Sequence, residues 1–139
     1  MKIVVSACLL GQNCKYNGGN NYDEKLVKRL EGREVIPVCP EALAGLGIPR
    51  VPIELVDGIP RDRAGNSVEE PLRQAVAQIL EQIRGEDVAC AILKSRSPTC
   101  GVKQIYDGTF TGTLVDGTGL LAQALLEVGY RVIDVEDVK

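Results

Sequence analysis

The stretch Lys2–Ala7 (KIVVSA) is short, rich in β-branched residues and followed by a polar, glycine-rich segment that runs to Asn21. This pattern predicts a buried strand. The stretch Val88–Leu93 (VACAIL) is apolar along its whole length and predicts a second, fully buried strand. Strands of this kind, rich in Val, Ile and Leu, are typical of a parallel sheet that is covered by helices.

Helices and further strands alternate along the rest of the chain. Strands are also predicted at Glu34–Val38, Ile53–Val56 and Arg131–Val135, helices at Asp23–Leu30, Ser67–Ile83 and Thr118–Val128, a helical turn within Glu41–Gly47, and a loop from Ser95 to Gly112. Pro37 favours an edge position for its strand, and Ser67 with Glu70 predicts a capping box. The alternation predicts a single α/β domain over residues 1–139, with a mainly parallel sheet flanked by helices in a Rossmann-like three-layer arrangement.

The composition is that of an ordinary globular chain. Of the 139 residues, 45% are hydrophobic and 25% are charged, which suits one domain with its own core. The net charge is −3 and no dense Lys/Arg run occurs, so we expect no nucleic-acid partner. No apolar run approaches the roughly 20 residues that span a bilayer, and Met1–Leu10 leads into a strand rather than a signal peptide. We therefore expect a cytoplasmic protein that does not bind membranes, and the sequence leaves its oligomeric state open.

Five cysteines and no histidine narrow the chemistry that this chain can perform. In a reducing compartment, cysteines with a function bind metal or react rather than form disulfides. The absence of histidine excludes Cys–His and Ser–His–Asp catalysis and mixed Cys/His zinc sites. The chemistry must come from thiolates, carboxylates, hydroxyls, lysine or arginine. Lys15, Arg50 and Lys94 are candidates for binding a polar ligand, although isolated basic residues are usually solvated.

Three of the cysteines follow predicted strands. Cys8 lies just beyond the first strand, Cys39 just beyond the second, and Cys100 a few residues beyond the buried strand that ends near Leu93. In open parallel sheets, ligands bind outside the carboxyl ends of the strands. The sequence therefore predicts that these thiolates meet at one edge of the sheet. Three thiolates leave a coordination position open, as metals do when they act on a substrate.

Two alternatives involve Cys14, which lies in the glycine- and asparagine-rich loop after Cys8. As a fourth thiolate, Cys14 would complete a structural zinc site or a closed iron–sulfur site, and the chain would be a non-catalytic metal-binding module. The other alternative is a thiol enzyme, phosphatase-like or arsenate-reductase-like, with Cys8 as nucleophile. In that case Cys14 occupies the position at which a C-x5-R phosphate loop needs arginine. Cys90, inside a strand and flanked by alanine, is predicted to be a small buried hydrophobe.

Two polar motifs accompany the cysteines. The CPE motif places Glu41 two residues from Cys39, and the SRSPTCG motif places Ser97 three residues before Cys100. Without histidine, Glu41 is the natural proton carrier, because a desolvated site raises the pKa of a carboxyl group. Ser97 can hydrogen-bond or deliver a proton to a substrate. Both residues also have a structural interpretation, Glu41 as a cap of the following turn and Ser97 as part of a turn.

Three blocks of the sequence resemble the signature blocks of the 2-thiouracil desulfurase family. They are CLLGQNCKYNGG (Cys8–Gly19), VCPEALAGLGIPRVPIEL (Val38–Leu55) and AILKSRSPTCGVKQIYDGTFTG (Ala91–Gly112). They occur in the family's order, and the resemblance covers nearly the whole chain, from residue 3 to about residue 135. One small departure is Lys15, which stands where arginine is common.

The resemblance implies a [4Fe–4S] cluster held by Cys8, Cys39 and Cys100, with a fourth iron free to bind the sulfur of a thiolated small-molecule substrate. It also implies that Glu41 and Ser97 are catalytic. The reaction implied is the non-redox desulfuration of a thiocarbonyl compound, for example 2-thiouracil to uracil, with release of sulfide. On this basis we expect a [4Fe–4S]-dependent desulfidase.

Overall fold

The computed structural model describes residues 1–138. The strands are β1 (Lys2–Ser6), β2 (Glu34–Val38), β3 (Ile53–Val56), β4 (Ile59–Asp62), β5 (Val88–Leu93), β6 (Gln104–Tyr106), β7 (Leu114–Asp116) and β8 (Val132–Asp134). The helices are α1 (Glu24–Arg29), α2 (Pro40–Leu43), α3 (Glu69–Arg84) and α4 (Leu120–Val128), and the segments Ala7–Leu10 and Val135–Asp137 are 3-10 turns. The main sheet is parallel and has the strand order β2-β1-β5-β8. The predicted α/β fold with a parallel sheet is confirmed.

Strand β1 organises the main sheet because it pairs with β2 on one side and with β5 on the other. Its side chains alternate between the two faces, as the pleat of a strand requires. Val4 packs with Ile79 of α3 and other side chains of α3 and α4, while Ile3 and Val5 pack with Leu26 of α1 on the other face. Helices therefore cover both faces of the sheet, which explains why its strands are mainly apolar.

Several sequence predictions agree closely with these bounds. Strand β2 lies at the edge of the sheet, the position that Pro37 predicts, since proline has no N–H group to donate to a second neighbour. Helix α4 ends at Val128, where the prediction also ends, and Gly129 follows it in the left-handed conformation with φ of 102°. No helix in the described part of the chain is both long and apolar enough to cross a membrane.

The predicted capping box at the start of α3 is wrong. The helix begins at Glu69, and the residue before it, Val68, makes no side-chain cap. Ser67 instead forms a β-bridge with Arg61, so its backbone is extended, and its hydroxyl accepts the N–H of Glu69 at 3.3 Å. Pairing with the β3–β4 hairpin thus delays the start of the helix.

Two antiparallel hairpins were not predicted. Strand β3, which was predicted, pairs with β4 rather than joining the main sheet. Strand β6 lies within the segment predicted as a loop from Ser95 to Gly112 and pairs with β7. The three-residue strands β6 and β7 are too short to give a clear alternation of apolar and polar residues.

The start of α4 holds the loop that carries Cys100. The first helical N–H groups of α4, which have no partner inside the helix, donate to the carbonyl oxygens of Pro98 at 3.0 Å and Thr99 at 2.8 Å. The N–H of Gly119 donates to the carbonyl oxygen of Gly101 at 2.7 Å. A Cβ atom at Gly119 would lie 2.4 Å from the carbonyl carbon of Thr99. Only glycine therefore permits this close approach of helix and loop.

We expect Gly119→Ala to lower the free energy of unfolding by about 1–3 kcal/mol, because the added methyl group must push the loop backbone away. Gly85→Ala is a matched control, since a Cβ atom at Gly85 meets nothing within 4 Å and its φ of −86° suits any residue. Chemical denaturation monitored by circular dichroism measures both changes. Equal stability of the two variants would contradict the close packing described here.

Candidate functional site

A cavity of about 480 Å³ opens at the carboxyl end of the main sheet. Cys8 lines it from the 3-10 turn after β1, Cys39 from the start of α2 directly after β2, and Cys100 from the loop after β5. Ser6 and Val38 are register partners at the ends of β1 and β2, so the chain leaves the two strands at the same level. The structure thus brings together three thiols that lie far apart in the sequence.

Cys14 joins these three cysteines, whereas Cys90 does not. Cys14 is buried, lines the same cavity and lies next to the thiol of Cys39, and burial raises its pKa. Cys90 lies within β5 and packs against the core on the α1 face of the sheet. The geometry places four cysteines at the site and leaves Cys90 as the small core residue that the sequence predicts.

Burial also governs the protonation of the thiols. It raises the pKa of Cys100 to about 12, an effect that hydrogen bonds from the hydroxyls of Ser6 and Thr99 only partly offset. Burial raises the pKa of Cys8 as well, against a hydrogen bond from the side chain of Asn21. These thiols are therefore protonated at neutral pH in the metal-free protein, and metal binding must displace their protons.

The donor set fits an iron–sulfur cluster better than a single ion. Within residues 1–138, no group of three or more His, Cys, Asp or Glu side chains is placed to hold one metal ion. A zinc ion requires its sulfur ligands to converge at about 2.3 Å from one centre, whereas the irons of a cluster each take their own cysteine and so accept more widely spaced ligands. Thiols distributed around one cavity, in a chain without histidine, match the second arrangement.

Glu41 lies in the first turn of α2 and lines the cavity beside the cysteines. Its side chain is 17% exposed, and its carboxylate lies 3.6 Å from the guanidinium of Arg50, which is 5% exposed. Burial raises the pKa of the Glu41 carboxyl above its ordinary value, and the positive charge of Arg50 offsets part of that increase. The site therefore holds a desolvated carboxyl group, as a proton carrier requires.

The side chain of Arg50 is buried, whereas isolated basic residues are usually solvated. Besides its ion pair with Glu41, its guanidinium donates to the carbonyl oxygen of Cys14 at 2.9 Å and to that of Gly47 at 3.1 Å. It thereby connects the loop after β1 to the segment after α2. The only sequence signal for this role is weak, namely the position of Arg50 between Pro49 and Pro52.

Ser97 closes a turn of the backbone and also lines the cavity. Its Oγ accepts the N–H of Thr99 at 3.1 Å and that of Cys100 at 3.0 Å, so it closes the turn that presents the Cys100 thiol. The same hydroxyl lies 3.1 Å from the hydroxyl of Thr99, whose Oγ1 is 3.7 Å from the sulfur of Cys100. With its acceptor positions occupied by backbone N–H groups, Ser97 has its own O–H left to donate. The turn predicted around Ser97 is present in the structure, and Ser97 also lines the cavity.

Fold and site together define a parallel α/β protein with a thiol-lined cavity and a buried carboxyl group at the carboxyl end of its sheet. A sequence model of the 2-thiouracil desulfurase family matches residues 3–137. The chain belongs to this family, as the sequence blocks predict.

Two known proteins are similar to this chain over most of their length. The uncharacterized protein YbbK of Bacillus subtilis (strain 168) is 36% identical over 141 residues, which cover 94% of this chain and 93% of that protein. A solved structure of the [4Fe-4S]-dependent thiouracil desulfidase TudS superposes with a TM-score of 0.91 at 32% identity, covering 99% of this chain and 92% of that one. The family and this neighbour support the predicted iron–sulfur-dependent desulfurase.

We expect Arg50→Met to lower the free energy of unfolding by about 3 kcal/mol, because it leaves the buried Glu41 carboxyl and two carbonyl oxygens without their partner. Arg84→Met is the control, since Arg84 pairs with Glu81 at the surface and its side chain is 77% exposed. Thermal or urea denaturation provides the comparison. Adding Glu41→Gln to Arg50→Met is expected to restore part of the stability, and full additivity of the two changes would show that the residues do not interact.

Proposed function

We propose that this protein is a [4Fe–4S]-dependent desulfidase that hydrolyses the C=S bond of a thiouracil-like compound. The observation that carries the proposal is the convergence of Cys8, Cys39 and Cys100, each after a parallel strand, on one cavity that also contains Glu41 and Ser97. Family membership and the TudS neighbour support both the cofactor and the class of reaction.

The reaction replaces sulfur by oxygen without a net change of oxidation state. Water supplies the oxygen atom, a C–O bond forms, the C–S bond breaks, and the sulfur leaves as sulfide together with the protons of the water. When bound, the cluster supplies a Lewis-acidic iron that polarises the C=S bond. We assign the cluster to Cys8, Cys39 and Cys100, because three thiolates leave one iron open to substrate sulfur.

Glu41 is the residue we assign to proton transfer from water. Its carboxyl group is buried, lines the cavity and is held by the ion pair with Arg50. Burial makes a carboxylate more basic, which suits a general base that works near neutral pH. Ser97 donates its O–H, which otherwise faces the Thr99 hydroxyl at 3.1 Å, to the ring of the substrate, while its oxygen keeps the turn before Cys100 closed.

The substrate is a thiolated small molecule. We expect the protein in the cytoplasm, where a reducing environment keeps the cavity thiols available for iron. We also expect neither nucleic acid nor a membrane as partner, in line with the net charge of −3.

Cysteine substitutions separate this proposal from the four-thiolate module. We expect Cys8→Ala, Cys39→Ala and Cys100→Ala each to abolish the cluster, and Cys14→Ala to retain it, because a cluster open to substrate sulfur needs three thiolates and the family resemblance assigns them to the first three. Cys90→Ala, outside the cavity, is the control. Iron and sulfide content and visible absorbance after anaerobic reconstitution are the measurements. Loss of the cluster in Cys14→Ala would favour the closed, non-catalytic site.

Substitutions of Glu41 and Ser97 test the catalytic assignment. We expect Glu41→Gln and Ser97→Ala each to lower kcat per cluster by roughly 10²–10⁴-fold, since each removes a proton-transfer group. Sulfide release from 2-thiouracil is measured anaerobically and divided by the cluster content of each preparation. This normalisation matters for Ser97→Ala, which also removes the acceptor of the Cys100 N–H. Unchanged turnover per cluster in either variant would remove that residue from the mechanism.

A further inference from the structure

The cavity has an aromatic wall that the reaction described above does not use. Phe110 lies between β6 and β7, at the tip of their hairpin, and lines the same cavity as the cysteines. The guanidinium of the exposed Arg63 lies over the Phe110 ring, 5.8 Å from its centroid. Arg63 thus covers one face of the ring, as a cation–π pair requires, so a flat ligand has to stack on the other face.

A buried carboxylate holds this wall in place. Glu54, a lone charged residue in the apolar strand β3, is 8% exposed, and its Oε1 accepts the N–H of Gly108 at 3.0 Å and that of Phe110 at 3.1 Å. Gly108 also approaches β3 so closely that a Cβ atom would lie 2.7 Å from the carbonyl oxygen of Leu55. The hairpin tip is therefore attached to strand β3 through Gly108 and Phe110.

The conformation of Phe110 is unusual and fixed. Its φ is +59°, in the left-handed region that bulky residues rarely adopt. Such strain persists only where surrounding contacts determine the backbone, and it is concentrated at functional sites. Next to it, the carboxylate of Asp107 accepts the N–H of Thr109 at 2.9 Å, which stiffens the tip further. The ring is thus preorganised on the cavity wall, which lowers the cost of ordering it around a ligand.

We propose that Phe110 determines specificity for flat, aromatic thiolated rings by stacking on them, and that Glu54 is the residue that positions it. The proposal deepens the desulfidase function and rests on it. Stacking on a side-chain ring rewards a planar π system and is insensitive to its ring substituents. A saturated, puckered ring with the same carbonyl and N–H groups loses that contact, and so is expected to bind more weakly.

The test compares uracil with 5,6-dihydrouracil, which share the same polar edge and differ in the planarity of the ring. Both are measured as inhibitors of 2-thiouracil desulfuration by the reconstituted enzyme. We expect the wild-type protein to bind uracil on the order of tenfold or more tightly than dihydrouracil, the scale of one lost stacking contact. Phe110→Leu, which keeps an apolar side chain without a ring, is expected to raise the KM for 2-thiouracil and to remove this preference, with kcat and cluster content nearly unchanged.

Two further variants show whether the ring of Phe110 itself is responsible. Phe110→Tyr keeps the ring and is expected to keep the preference. Tyr16→Leu removes another aromatic side chain that lines the cavity and is the matched control, expected to leave the preference intact. A preference that survives Phe110→Leu, or that disappears in Tyr16→Leu instead, would overturn the proposal.

A failure of the proposed desulfidase function can be distinguished from a failure of the stacking proposal. If the wild-type enzyme with its cluster released no sulfide from 2-thiouracil, the proposed function would fail. Calorimetric titration of uracil and dihydrouracil into the same preparation would still compare their binding in the wild type and in Phe110→Leu. Equal binding of the two compounds by the wild-type protein would then refute the stacking role by itself.

Discussion

The hydrogen-bonded ladder that holds β1 between β2 and β5 in a parallel arrangement is the constraint on which the site depends. Because the three strands run in the same direction, their carboxyl ends coincide, and the chain delivers Cys8, Cys39 and Cys100 to one place. A strand of five residues is about 17 Å long. Reversing any one of the three strands would therefore carry its cysteine to the far edge of the sheet. The convergence of the three thiols therefore depends on the parallel topology of the sheet more than on any local sequence motif.

The thiols and the Glu41 carboxyl group lose hydration at the carboxyl edge of the sheet. A small number of polar contacts offsets part of the cost of that desolvation. The guanidinium of Arg50 pairs with Glu41 and also satisfies backbone oxygens on two segments, so one buried cation serves three partners. Hydroxyl groups of Ser6 and Thr99 direct hydrogen bonds at the sulfur of Cys100. The thiols nevertheless stay protonated without metal, because burial outweighs these contacts. Assembly of the centre is thus coupled to loss of protons, as is general for thiolate sites.

The parts of the structure that the sequence predicts are those with a local signal. The buried strands β1 and β5 have short apolar runs, and the cysteines after them inherit their position from those strands. Arg50, Glu54 and the two hairpins are different, because what they do depends on partners far away in the chain. Glu54 contacts backbone groups 54 and 56 residues further on, and no spacing rule reports such a contact. Its only signal is a charged residue inside the apolar strand IELV. The capping box failed for the same reason, since a bridge to Arg61 took precedence over the local motif.

The cavity is therefore formed by two parts of the structure, the parallel sheet and the two hairpins, and each part contributes different groups. The parallel sheet supplies the cavity thiols and the buried carboxyl group, all from segments that follow its strands. The two hairpins lie outside that sheet and contribute Glu54, Arg63 and Phe110 to the same cavity. Because the hairpins are joined to each other through Glu54 rather than through the sheet, side chains on them can change without disturbing the strands that carry the cysteines. If Phe110 selects the ring as proposed, substitutions at the hairpin tip would change which ring binds while the segments that carry the cysteines stay in place.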